Sequence, residues 1–170
     1  MKHEEVKQLV REWMEERGYE SLLPLRYNRY GMVRGSRGGW EKDPVLEILP
    51  KEWWYRRGEG TNKARKNPKE TRPDDVLHYV GKGHLAFPVF GEIVILEYKP
   101  YPTSRGDLFR GIGQCLFYHR RTGLPAYLVV NEEDYKEVLW GIIHFTPLGA
   151  ITYHKDPVVK WVEVVRYWAR

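Results

Sequence analysis

Apolar side chains first recur at Val6, Leu9, Val10, Trp13 and Met14, a helical spacing closed by Gly18, which predicts a helix over about residues 3–17. Residues 20–27 read as a short strand. Two further strands are expected near 74–80 and 92–99, joined through Gly81, Gly83 and Pro88. Leu108, Ile112, Cys115, Leu116 and His119 mark one face of a helix from about 105 to 121, stopped by Gly123. PAYLVV is a short buried strand. Tyr135, Val138, Leu139, Ile142 and Ile143 repeat at helical intervals, and GAITYH reads as another strand. Asp156-Pro157 is a helix start, and Val158, Val162, Val165 and Trp168 carry that helix to the end. The order α, β, β, β, α, β, α, β, α predicts one α/β domain over residues 1–170, a mixed central sheet flanked by helices on both faces.

Residues 28–72 interrupt this regularity with a long stretch rich in Gly, Pro, Lys and Arg around one hydrophobic knot, VLEIL followed by KEWWY. Such a stretch within a domain is usually functional or mobile. Charge sharpens the picture. From Arg26 to Arg72 there are 13 basic and 6 acidic residues, a net of +7, while the whole chain carries only +5. Tyr27, Tyr30, Trp40, Trp53, Trp54 and Tyr55 are interleaved with these cations. Cations meet phosphates and flat rings stack on bases, so the insertion reads as a nucleic-acid surface. Arg34, Arg37, Arg56, Arg57, Lys63, Arg65 and Lys66 are its expected contacts, joined by Tyr118 from the following helix. The competing reading is a solvated basic insertion whose aromatics pack inward.

Composition excludes several classes. A single cysteine, Cys115, rules out an internal disulfide, a Cys-based zinc site and a four-Cys iron–sulfur cluster. No apolar run approaches the roughly 20 residues that span a bilayer. The opening MKHEEVKQLVREWMEE is charged and amphipathic, with no signal-peptide core, so an intracellular protein without a membrane partner is expected. The glycine-rich segments lack a phosphate-loop pattern, and Ser36 and Ser104 lie in no nucleophile motif.

The chemistry concentrates at the end of the strand Ile93-Val94-Ile95-Leu96. Strand side chains alternate, so Glu97 and Lys99 project from one face. Burying both charges mid-sheet without compensation would cost several kcal/mol. Asp74 opens the preceding strand, and pairing of the two strands brings an aspartate toward Glu97. Two oxygen donors beside a lysine make half of an octahedral site for a divalent cation, with water and a phosphate completing it. Asp74 and Asp75 point to opposite faces; the preceding Pro73 favours Asp74, and Asp75 is the second choice.

Pro73-Asp74 followed by Glu97-Tyr98-Lys99 resembles the PD-(D/E)XK signature of the restriction-endonuclease-like nucleases. The run GIGQCLFYHRRTGLPAYLVV resembles the helix–strand unit after the catalytic lysine in the RecB-like branch, which includes CRISPR-associated exonucleases. KQLVREWMEERGY resembles the first helix of archaeal Holliday-junction resolvases and Mrr-type restriction enzymes. The resemblance implies a restriction-endonuclease-like core and a DNA nuclease of repair, recombination or replication, dependent on Mg²⁺ or Mn²⁺ and leaving 5′-phosphates. It implies Asp74 and Glu97 as metal ligands, with Lys99 and Gln114 completing the catalytic set. The chain departs from the pattern in two places. Lys7 stands where the Mrr-like helix carries a glutamate, with His3 and Glu4 one turn earlier as replacements, and the iron–sulfur cysteines are absent. Two alternatives stay open: an inactive nuclease fold that binds DNA or serves as a scaffold, and an RNA-directed nuclease. The apolar stripe of the last helix offers a seam for a homodimer.

Overall fold

A computed structural model describes residues 1–22, 32–34, 40–42, 48–50, 53, 72–81, 88–154 and 162–166. Helix α1 (His3–Glu15) buries Val6, Val10 and Met14, the spacing that predicted it, and carries Glu4 and Glu5 in its first turn, where the helix dipole favours acids. Gly18, at φ 92°, turns the chain into strand β1 (Tyr19–Ser21). Strands β2 (Met32–Arg34) and β3 (Trp40–Lys42) pair with each other as a separate two-stranded ribbon. The expected hairpin follows as β4 (Asp75–Tyr79) and β5 (Ile93–Tyr98), antiparallel, with Asp75 opposite Leu96.

Helix α2 (Arg105–Thr122) is set by its ends. Ser104 accepts a bond from the backbone N–H of Asp107, and Gly123 closes the other end in the left-handed conformation. Strand β6 (Ala126–Asn131) returns parallel to β5. The next stretch is helical in three pieces, Glu132–Asp134, a π-turn over Tyr135–Leu139, and Trp140–Ile143. Strand β7 (Gly149–Tyr153) then runs parallel to β6.

The sheet order is β1-β4-β5-β6-β7, with strand β8 (Val162–Arg166) added antiparallel beyond β7. It is mixed, as expected. Strand alternation divides the core. Val76, Ile93 and Ile95 face α2 through Leu108, Ile112 and Cys115. Leu77, Val94 and Leu96 face α1 through Val6, Val10 and Met14. Fully burying each of these side chains contributes roughly 1.5–3 kcal/mol, so the two clusters hold helix against sheet from both sides.

Three expectations change. The terminal helix is not a helix where it is described: Val162–Arg166 is a strand. Val162, Val164 and Val165 are β-branched and suit a pleated surface, and the open edge of β7 offers them a full ladder. The dimer seam expected on that helix loses its basis with it. Tyr118 is completely buried rather than turned to a nucleic acid. Its ring meets the edge of Trp53 at 5.5 Å, and Trp53 is equally enclosed, so this part of the insertion packs inward. Asp156-Pro157 and six of the expected phosphate contacts (Arg37, Arg56, Arg57, Lys63, Arg65 and Lys66) lie outside the described residues, while Arg34 ends β2. No helix among the described residues is long and apolar enough to cross a membrane.

Candidate functional site

The hairpin register assembles the site. With Asp75 opposite Leu96, the preceding Asp74 lies beside Glu97, and its backbone N–H donates to Glu97 Oε2 at 3.2 Å. Asp74 Oδ2 accepts from the backbone N–H of Tyr98 at 2.9 Å and from His3 Nε2 at 3.1 Å. The first turn of α1 is therefore tied to the end of the hairpin through a histidine.

Alternation separates the two aspartates. Asp75 turns to the α1 face, where it is wholly buried and saturated. Arg11 grips it from Nε at 2.6 Å and Nη2 at 3.2 Å, and the hydroxyls of Ser21 and Tyr98 donate to it at 2.6 and 2.8 Å. This is a structural clamp that leaves Asp75 no room for a ligand. Asp74 keeps about a quarter of its side chain exposed.

Glu97 and Lys99 are both almost completely buried. Burial, followed by the charge of Asp74, lifts the Glu97 carboxyl to about 9. Burial would also lift Asp74, but the His3 bond, the Tyr98 N–H and the His3 charge together outweigh it and leave Asp74 below its ordinary value. His3 is raised in return, chiefly by its bond to Asp74. Two neighbouring carboxyls thus respond in opposite directions, and Glu97 keeps its proton at neutral pH even though the Lys99 charge acts to lower it.

Helix α2 supplies the lid. Its acid Asp107 has Oδ1 3.5 Å from Lys99 Nζ, and Thr103 donates to the other oxygen at 3.0 Å. Gly111 is where the lysine runs against the helix: a Cβ there would stand 2.7 Å from Lys99 Cε and 2.8 Å from Leu128 Cδ1. One turn on, along the same inward stripe, Gln114 has a buried Oε1 with no hydrogen-bond partner among the described residues. A buried acceptor without a donor marks a place for water or a ligand. Cys115 is fully buried, and its thiol is raised by burial and then by the charge of Glu97. Backbone bonds hold the strand end in place: Lys99 N–H donates to the Val129 carbonyl, and the Tyr153 hydroxyl donates to the Lys99 carbonyl at 2.7 Å.

Asp74, Glu97 and Lys99 are therefore brought together, and Gln114 shares their side of the sheet, whereas Asp75 and Tyr118 are directed elsewhere. Asp107 and Gly111 were not singled out by sequence reasoning. The Ser-x-x-Asp spacing from Ser104 to Asp107 was a legible cap signal, but nothing local ties it to Lys99. No group of three or more His, Cys, Asp or Glu among the described residues is arranged to hold a metal ion. Compared with family models, curated proteins and solved structures, the chain matches none.

Proposed function

We propose that this chain is a divalent-metal-dependent DNA nuclease built on a restriction-endonuclease-like core. The observation that carries the reading is the convergence of Asp74, Glu97 and Lys99 at the ends of two paired strands, on one side of the sheet and largely out of water. Asp75 is saturated by Arg11 and two hydroxyls, whereas Glu97 is gathered against desolvation with the Asp74 N–H and the Lys99 charge as its offsets. Two carboxyls side by side, Glu97 raised to about 9 chiefly by burial, are oxygen donors of the kind that suit a hard cation such as Mg²⁺ or Mn²⁺. Asp74 and Glu97 would hold that ion, which when bound supplies positive charge to the scissile phosphate and acidity to water.

The chain's own groups do the rest. Lys99 faces the phosphate with its ammonium, aligning the attacking water and offsetting negative charge as the phosphorus becomes five-coordinate. Asp107 keeps that ammonium aimed, and the free acceptor of Gln114 holds a water on the same side. Water adds to phosphorus, the bond to the 3′ oxygen breaks, and that oxygen leaves with a proton, so the products carry 5′-phosphate and 3′-hydroxyl ends. The basic insertion, residues 28–72, would hold the phosphate backbone.

The test is cleavage of duplex, single-stranded and branched DNA by purified protein with Mg²⁺ or Mn²⁺. Wild type should cut, and Lys99→Ala should lose about 10²–10⁴-fold in rate. Equal cutting by Lys99→Ala would remove the assigned site. A second reading, a nuclease fold that binds DNA without cutting it, is favoured by Lys7, half-buried in α1 at the position where the resembled pattern has an acid. It predicts salt-sensitive DNA binding and no metal-dependent product. RNA substrates in the same assay decide the RNA-directed alternative.

A further inference from the structure

Helix α2 has a second face that the site does not use. Its inward stripe is occupied by the core, Lys99 and Asp107. Its outward arc exposes Phe109 and Phe117, at 46% and 47% of their surface. Arg105, Arg110, Arg120 and Arg121 are exposed on the same arc, which carries no acid. Two phenylalanines this exposed, with Arg105, Arg110 and Arg120 on the same arc, suit a partner that is flat, apolar on its faces and negatively charged at its rim.

We infer that the outer face of α2 is a stacking track for unpaired DNA bases, so that the substrate presented to the site is single-stranded or carries a single-stranded arm. The inference rests on the nuclease reading for its substrate, and on the helix surface alone for its binding.

Three features support it. Phe109 and Phe117 are eight residues apart, which separates them by roughly 12 Å along the axis, a span of more than one nucleotide step of a single strand. Between and before them lie Gly113 and Gly106, both exposed, and a side chain at either would meet nothing within 4 Å. The approach to the rings is therefore open. The arginines lie beside the rings, where backbone phosphates of stacked bases would fall. A second copy of this chain fits the face poorly, because two-fold pairing would set four arginines against four. The site is close by: Asp107 and Gly111 of the same helix touch Lys99, and a helix is only about 10 Å thick.

The experiment is fluorescence anisotropy with a labelled oligothymidine and with a duplex of mixed sequence, in EDTA and in the Lys99→Ala background. Cleavage then plays no part, and a failure of the nuclease reading leaves this result standing. Phe109→Ala and Phe117→Ala should each weaken oligothymidine binding by roughly five- to a hundredfold and leave duplex binding nearly unchanged. Phe109→Leu and Phe117→Leu, which keep apolar bulk without an aromatic face, should show a similar loss if the alanine variants fold poorly. Arg110→Ala should weaken both ligands and flatten the salt dependence. Oligothymidine binding unchanged in the leucine variants overturns the inference. So does equal loss for both DNAs, or a dimer that the phenylalanine variants dissociate while DNA binding persists.

Discussion

Replacing Glu97 with glutamine removes an ionisable group that the fold holds at a cost. In the folded chain its carboxyl ionises at about 9, against an ordinary 4.5. Between those values the native state binds a proton that the unfolded state has released. Stability therefore falls as pH rises through this window and levels off above about 9. Each pH unit corresponds to about 1.4 kcal/mol, so between pH 4.5 and pH 7 the loss is about 3 kcal/mol. Glutamine keeps the acceptor for the Asp74 N–H and does not titrate. Glu97→Gln should match wild type near pH 4.5 and exceed it by about 3 kcal/mol at pH 7, roughly 6–12 °C in Tm for a chain of this size. Thermal melts in EDTA from pH 5 to pH 8 read the difference directly. Saturating Mg²⁺ should raise the wild-type Tm and leave the variant where it was, because the ion selects the ionised carboxylate. A difference between the two proteins that does not change with pH would refute the assignment of Glu97 as the high-affinity proton site.

Other outcomes follow from the same geometry. Gly111→Ala gains about 1 kcal/mol of helix propensity but drives a methyl into Lys99, so stability should change by less than about 2 kcal/mol while DNA cleavage falls; full cleavage would show that the lysine's path over Gly111 is unimportant. Arg11→Met strips the charged partner from a fully buried Asp75 and should cost about 3 kcal/mol or more in urea denaturation, with Arg11→Met/Asp75→Asn recovering most of it; a loss below about 1 kcal/mol would mean the clamp is not holding the strand end. The His3 ring should titrate above 6.5 by NMR and return toward that value in Asp74→Asn. The stability this pair adds is full below pH 6.5 and is lost as pH rises through the raised value, so an unshifted His3 would break the link between α1 and the site.

Much of this protein was legible because its signals are local. The α1 stripe, the Ser104 cap, the Gly123 stop and the apolar run of β5 each constrain a few neighbouring residues. Alternation alone put Glu97 and Lys99 on one face and set Asp74 against Asp75. The C-terminal segment was misread because Val158, Val162, Val165 and Trp168 satisfy a helical period, while Val162, Val164 and Val165 also suit a strand. Only the vacant edge of β7 decides between the two, and that edge is made by residues elsewhere in the chain. Tyr118 was expected to join the nucleic-acid surface; Trp53, packed edge-on against its ring, makes that position interior.

By itself, then, the chain's order of residues determined α1, α2, the β4–β5 hairpin with its two faces, and the charges that meet at its end. Tertiary structure decided which charge has a partner. Arg11 and Ser21 reach Asp75 from residues more than fifty positions away, His3 reaches Asp74 from 71 positions away, and Asp107 meets Lys99 only once α2 lies on the sheet. The physical reason is range. Backbone preference and periodicity act over a turn or a pleat, whereas desolvation and ion pairing depend on whatever the fold brings within a few ångströms, whatever its distance in sequence.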